Sequence, residues 1–223
     1  MEKYAIIVAG GSGTRMKTEV PKQFLLLKGK PVLFHTIEKF NKLSASVKII
    51  LALPSNQISH WKNLCKKYKF NIEHKIVSGG KERFFSVKNG LKQVTEKSIV
   101  AVHDGVRPLV KTETIQKCFA SAEKKGNAIP VISVNESLRK KKGNKNFSVN
   151  RKEFFIVQTP QCFRSEILKT AYKQNFSPQF TDDASVVEKS GKKIYFIDGN
   201  PENIKITTPV DLKMAEILMK NSD

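Results

Sequence analysis

The segment Ala9-Gly10-Gly11-Ser12-Gly13-Thr14-Arg15-Met16 follows directly on the apolar run Tyr4–Val8, so a glycine-rich turn sits where a strand ends. Open α/β sheets bind ligands at that end of their strands. Glycines let backbone N–H groups close around anionic oxygens with no Cβ in the way, and Arg15 adds fixed positive charge. The chemistry such a turn serves is phosphate binding. No Gly-Lys-Ser/Thr follows, which excludes a Walker loop, and the spacing does not match a dinucleotide fingerprint. A tight turn without a ligand has the same composition. Lys22 lies a short way on, in Pro21-Lys22-Gln23-Phe24, where proline restricts the backbone and helps to aim the lysine. Two cations beside one glycine loop can reach a triphosphate and oppose the charge that builds on an attacked phosphorus. A lone lysine is more often a surface residue.

Other reactive constellations are missing. No Ser-His-Asp or Cys-His arrangement stands out, and His103 beside Asp104 reads as an ordinary strand-end histidine. Cys65, Cys118 and Cys162 are scattered and odd in number, which suits reduced thiols in a cytosol rather than a disulfide framework or a zinc site.

The elements that must position these residues alternate. Apolar β-branched runs at Tyr4–Val8, Val47–Leu53, Ile99–His103, Ala128–Ile132 and Lys193–Ile197 are separated by segments of helical period. This is the pattern of an α/β fold: a Rossmann-like wound, mostly parallel sheet with helices on both faces. Pro31, Pro54 and Pro209 mark helix starts, where the missing N–H costs nothing. Between Ser133 and Val157 the alternation stops, and a polar stretch around Lys142-Gly143-Asn144 is flanked by the strand-like pieces Ile132–Val134 and Glu153–Val157. We read a projecting hairpin arm over 133–157, for which a plain surface loop is an equal alternative. No repeat or Pro/Gly/Ser-rich linker divides the chain, so 1–223 is expected to form a single domain.

Composition bounds the rest. The chain has 223 residues, 39% of them hydrophobic, enough to bury a core. Its longest apolar runs fall far short of the roughly 18 residues that a membrane span needs. Met1-Glu2-Lys3 leads straight into a strand without signal-peptide order, so a cytoplasmic location is expected. The net charge of +20 calls for an anionic partner without choosing among nucleic acid, membrane and phosphorylated small molecules. Lys62, Lys66, Lys67 and Lys69 read as one solvated face, and Arg139–Lys142 lacks the interleaved aromatics of a single-strand platform.

AGGSGTRM followed by PKQF resembles the opening signature of the sugar-phosphate nucleotidyltransferases. GGKERFFSV (79–87), VHDGVRP (102–108), VNRKEFFIVQTPQCF (149–163), FTDDASVVE (180–188) and NIKITTPVDL (203–212) resemble, in order, the motifs of the 2-C-methyl-D-erythritol 4-phosphate cytidylyltransferase family. The likeness spans nearly the whole chain. It implies cytidylyl transfer from CTP to a sugar-alcohol phosphate, with release of pyrophosphate, in the non-mevalonate route to isoprenoid precursors. It implies that Arg15 and Lys22 stabilise the transition state at the α-phosphate, while Arg151 and Lys205 position the acceptor. Ala9, Gly10, Gly11, Ser12 and Gly13 would wrap the CTP, and Gly80 and Ser86 would approach the cytosine. Asp104, Arg107, Ser137, Thr159 and Thr181 would contact the acceptor's hydroxyls and phosphate. The arm would complete a neighbour's site in a homodimer, and neither nucleic acid nor membrane is an expected partner.

The attacking oxygen would then belong to a phosphate monoester whose second pKa is about 6, already ionised at neutral pH, so no general base is needed. Mg²⁺ would be held mainly through the CTP phosphates rather than by a protein cage, with Asp104 within reach through water. Thr181 before Asp182-Asp183 also reads as a helix N-cap, with Gly191 ending that helix. Lys205 in Ile204-Lys205-Ile206 also reads as the solvent-facing member of a strand, and Arg151 as one more exposed base.

The chain departs from the family at Ala9-Gly10, where Ala-Ala is usual, at Gly105-Val106, again for Ala-Ala, and at Lys81, where an acidic or small residue is usual. Ribitol 5-phosphate cytidylyltransferases share the opening and NIKIT segments and are the nearest enzymatic rival. Asp183-Ala184-Ser185 with Val186-Val187-Glu188 favours methylerythritol phosphate. A basic nucleic-acid-binding module is the rival of another class, and it leaves the ordered glycine and Thr-Pro-Gln segments without a purpose.

Overall fold

The structure, a computed structural model, describes residues 1–10, 20–43 and 46–220. At its centre is β1 (Glu2–Val8), with Tyr4, Ala5, Ile6 and Ile7 all buried, as a strand covered on both faces requires. It pairs in parallel with β4 (Val47–Leu53) on one side and β6 (Ser98–Asp104) on the other, in a register that sets Val8 beside both Ala52 and Asp104. Two short strands, β2 (Leu26–Leu27) and β3 (Lys30–Pro31), form a separate pair. β5 (Lys75–Ser78) continues the parallel sheet beyond β4.

On the far side of β6 comes β11 (Gln161–Arg164), antiparallel, then β7 (Asn127–Ser133). β7 also pairs with β10 (Phe155–Val157), antiparallel, and with β12 (Phe196–Asp198), parallel. The sheet has eight strands, six of them parallel to one another.

The alternation along each strand sorts the core into two layers. Ala5, Ile7, Leu51 and Ala101 point towards α1 (Val32–Leu43), α2 (Ile58–Lys67) and α4 (Thr112–Lys125), where Phe34, Trp61 and Phe119 pack. Tyr4, Ile6, Ile50 and Val102 point towards α3 (Arg83–Leu91), α5 (Ser165–Ala171) and α6 (Asp183–Lys189). The third cluster, with Leu27, Val32 and Ile206, receives Ala215 of α7 (Pro209–Lys220). Lys62, Lys66 and Lys67 are exposed along α2.

The polar stretch forms a hairpin, β8 (Leu138–Lys142) and β9 (Lys145–Val149), joined by Gly143-Asn144 with Gly143 at φ 58, a position where glycine is favoured in a two-residue turn. The hairpin has no hydrogen-bonded partner strand in the main sheet and springs from the neck where β10 pairs with the end of β7.

Three local expectations need correction. The run Lys193–Ile197 is a strand only from Phe196, because Lys193 O and Tyr195 N bond to the Asn127 side chain, which donates to the first and accepts from the second, leaving Tyr195 O with a backbone bond, from Ile129 N. The N-cap of α6 is Asp182, not Thr181: Asp182 Oδ1 accepts from Ser185 N, and Ser185 Oγ answers the Asp182 N–H in a capping box. Gly191, at φ 82, does follow the end of that helix. Ile204-Lys205-Ile206 is extended but joins no sheet. Its alternation survives, with Ile206 buried and bonded through its N–H to Val106 O and Lys205 turned outward.

Candidate active site

The carboxyl ends of β1, β4, β5 and β6 surround a cavity of about 330 Å³, with Ala9, Gly10, Lys22, Gly80, Arg83 and Lys205 in its lining. Ala9 is held by its N–H to Ala52 O (3.0 Å) and Gly79 by its N–H to Leu53 O (2.7 Å), which brings the two glycine segments together over β4. Gly80 donates its N–H to Ser86 Oγ (3.0 Å), and a Cβ on Gly80 would overlap Phe85. Ser86 Oγ in turn donates to Glu82 O (3.3 Å), so the predicted base end is a fixed backbone loop rather than a free hydroxyl. Lys22 opens a single 3-10 turn, Lys22–Phe24, whose geometry starts from Pro21 at φ −57. Gln23, fully buried, donates to Ala9 O (2.9 Å) and to Gln57 Oε1 (2.7 Å) and so ties the Pro-Lys-Gln turn to the start of the glycine loop. Gly11, Ser12, Gly13 and Arg15 lie outside the described residues.

Asp104, at the end of β6, gathers three cations. Its Oδ2 is 3.0 Å from Lys205 Nζ and 3.2 Å from Arg107 Nε, and its Oδ1 is 3.4 Å from Arg83 Nε. Burial alone would raise the Asp104 carboxyl; Arg83, then Lys205 and Arg107, outweigh it and hold the group well below the usual carboxylate range. Arg83 also donates to Asp183 Oδ2 (2.7 Å), whose other oxygen accepts from Tyr172 Oη (2.6 Å). Burial first, and then Asp183, push the Tyr172 hydroxyl up, so it keeps its proton and donates.

A second cavity of about 260 Å³ lies against the same group and is lined by Arg83, Asp104, Arg107 and Lys205 together with Thr159 and Thr181. Arg83, Asp104 and Lys205 line both cavities and form the wall between them. Thr159 Oγ1 accepts from Asp104 N (3.1 Å) and sits 3.0 Å from His103 Nδ1. His103 Nε2 is 3.1 Å from Arg107 O, which can only accept, so the ring's proton is on Nε2 and Nδ1 accepts from Thr159. Burial lowers His103 to about 4, keeping it neutral. It is a buried support for the wall and not a proton carrier.

Ser137 and Arg151 line neither cavity. Both are exposed at the arm, Ser137 before β8 and Arg151 in the 3-10 turn Arg151–Glu153, where its guanidinium donates to Asn135 O. Sequence reasoning missed Arg83, Asp183 and Tyr172. Arg83 stood in GGKERFFSV, a base just after a glycine pair at a helix start, which was signal enough to add it. Nothing local marks Asp183 or Tyr172 as its partners.

A cleft lined by Gly10 and Gly80 beyond the ends of β1 and β5, sharing a cationic wall with a smaller cleft, is an arrangement that suits group transfer between two anionic substrates. The sequence model of the family "2-C-methyl-D-erythritol 4-phosphate cytidylyltransferase" matches residues 4–221. The chain belongs to this family. A relative so named in Bacteroides thetaiotaomicron is 51% identical over 219 residues, 98% of this chain and all of that protein. One from Clostridium acetobutylicum is 41% identical over 98% of this chain and 97% of its own length. Among solved structures, the family's enzyme from Thermus thermophilus superposes with a TM-score of 0.80 at 28% identity, covering 99% of this chain and all of that one. The 4-diphosphocytidyl-2C-methyl-D-erythritol synthase of Anaerococcus prevotii gives 0.83 at 27%, covering 97% of this chain and 95% of that one. The family's wound sheet is therefore shared from end to end, and the expected fold class holds.

Proposed function

We propose that this chain transfers the cytidylyl group of CTP to 2-C-methyl-D-erythritol 4-phosphate, giving 4-CDP-2-C-methyl-D-erythritol and pyrophosphate in isoprenoid precursor synthesis. The observation that carries the reading is the shared wall: one group of cations faces both the glycine-lined cavity and the polar one. CTP occupies the first, with Gly80 and Ser86 at the base and Ala9, Gly10, Gly11, Ser12 and Gly13 around the phosphates. The acceptor occupies the second, between Arg107, Thr159 and Thr181. Its ionised phosphate attacks the α-phosphorus, the bond to the β-phosphate oxygen breaks, and pyrophosphate leaves with the electron pair. Lys22 and Arg15 oppose the charge that gathers on the phosphorus being attacked, Lys205 positions the acceptor, and positioning does the remaining work.

Mg²⁺ would be held mainly through the CTP phosphates, keeping several waters. It would supply neutralisation of the phosphate charge, and Asp104, in the lining of the first cavity, would be the carboxylate within reach of it. A homodimer completes the account. Ser137 and Arg151 would enter the partner's acceptor cavity, and the exposed Phe147, Phe154, Phe155 and Ile156 of the 133–157 arm would be covered there. The chain acts as one nucleotidyltransferase domain in the cytoplasm, with no nucleic acid as partner. Among the described residues no helix is long and apolar enough to cross a membrane.

Phosphorus spectroscopy of the product mixture tests the reaction. A CDP-linked product from methylerythritol phosphate supports it, and a CDP-linked product from ribitol 5-phosphate alone transfers the chain to the sister activity. Activity regained on mixing inactive Arg151→Ala and Lys22→Ala chains supports the shared site; no recovery counts against it.

A further inference from the structure

Three buried side chains that the mechanism leaves unused join the two segments that deliver Thr159 and Lys205 to Asp104. Gln158 pairs with the backbone of Asn200 as a strand would: its Nε2 donates to Asn200 O (2.9 Å) and its Oε1 accepts from Asn200 N (3.2 Å). A Cβ on Gly199 would collide with that amide. Asn200 is fixed to the start of α4, where its Oδ1 accepts from Lys111 N (3.2 Å) and Thr114 Oγ1 (3.3 Å) and its Nδ2 donates to Leu109 O (3.1 Å). Asn203 closes the arrangement. Its Nδ2 donates to Thr159 O (2.8 Å), while its backbone O accepts from Arg107 Nη1 (2.8 Å). Gln158, Asn200 and Asn203 are all at most 4% exposed.

We infer that Asn203 is a positioning residue for the acceptor: its amide fixes Thr159, its carbonyl fixes Arg107, and its place two residues before Lys205 sets where that lysine meets Asp104. Its own Oδ1 is buried and accepts no hydrogen bond, so the NH₂ half of the amide is the working half. Among the described residues the hydrogen bonds of Gln158, Asn200 and Asn203 do not extend to Gly80 or Ser86, so the base end of the nucleotide cavity is fixed independently of them. The inference rests on the proposed reading of the second cavity as the acceptor site.

The test compares wild type with Asn203→Ala, Asn203→Asp and the milder Asn203→Ser. Steady-state turnover is measured with CTP and methylerythritol 4-phosphate, CTP affinity by calorimetry, and backbone hydrogen exchange in the apo proteins. Asn203→Asp removes the donor at nearly constant volume and should raise the acceptor KM about tenfold, with CTP affinity within about twofold of wild type, the split expected of a lost acceptor contact. Asn203→Ser should fall between. Exchange should rise at 157–161 and 203–206 together. An unchanged acceptor KM, or a loss of CTP affinity in step with it, overturns the inference. Unchanged exchange in those two segments overturns it too, even in a protein that accepts no methylerythritol phosphate. Silence of the wild type with that acceptor would instead remove the proposed function.

Discussion

Arg83 Nη2 and Asp183 Oδ2 lie 2.7 Å apart, joining the first residue of α3, beside the nucleotide cavity, to the first residue of α6, beside the acceptor cavity. Asp183 has no solvent exposure, and its only other hydrogen-bond partner among the described contacts is Tyr172. Removing one partner of a buried pair strands the other. Asp183→Ala is therefore expected to lower the free energy of unfolding by about 3 to 5 kcal/mol, read from urea denaturation, and to release Arg83 from the wall. Asp183→Asn keeps the shape and should lose less. A loss under about 1 kcal/mol in the alanine variant would show that the pair holds nothing together.

Lys205 and Lys22 invert that balance. The Lys205 side chain is 40% exposed and Lys22 is half-buried in the cavity lining, so neither belongs to the apolar core. Each alanine variant should lower kcat/KM about 100-fold or more while the melting temperature moves by only a few degrees. Parallel loss of fold and activity would make them structural.

His103 sets a pH dependence of stability. Burial lowers it from its ordinary 6.5 to about 4, so the unfolded chain binds a proton there that the folded chain refuses. Stability from this group is complete above about pH 6.5 and is lost as pH falls towards about 4, by up to about 3 kcal/mol. Urea unfolding of wild type at about pH 7.5 and about pH 5 should show a larger acid loss than the same pair of measurements on His103→Gln. Equal losses would place the titration elsewhere.

Gly80→Ala drives a methyl into Phe85 and must move the backbone that bonds Ser86. CTP affinity should fall about tenfold or more, by calorimetry, with acceptor affinity retained. Unchanged CTP affinity would remove this loop from the base site.

How much of this was legible in sequence follows from the range of each interaction. β1, the helix start at Pro209 and the hairpin were readable because each depends on neighbours a few residues away, whereas Pro31 falls in β3 and Pro54 precedes a 3-10 turn rather than opening α2. The turn that carries Lys22 was readable for the same reason, since Pro21 restricts the backbone just before it. Lys205 was visible only through its motif, because the strap that carries it belongs to no sheet and periodicity describes it as surface. The Arg83–Asp183–Tyr172 group was hidden, since its members meet only after α3, α5 and α6 pack on one face. Thr181, Asp182 and Asp183 compete for one cap, and Asp182 wins because only it has Ser185 three residues on to reciprocate. Ser137 and Arg151 line neither cavity within one chain, and no local pattern in the sequence marks that.

The most direct measurement of the central claim is pyrophosphate release with Mg²⁺ and CTP, offering methylerythritol 4-phosphate and ribitol 5-phosphate in parallel, with ATP as the nucleotide control. The account predicts release with CTP and methylerythritol 4-phosphate and little with either other combination. Release with ribitol 5-phosphate alone, or with neither acceptor, would contradict it.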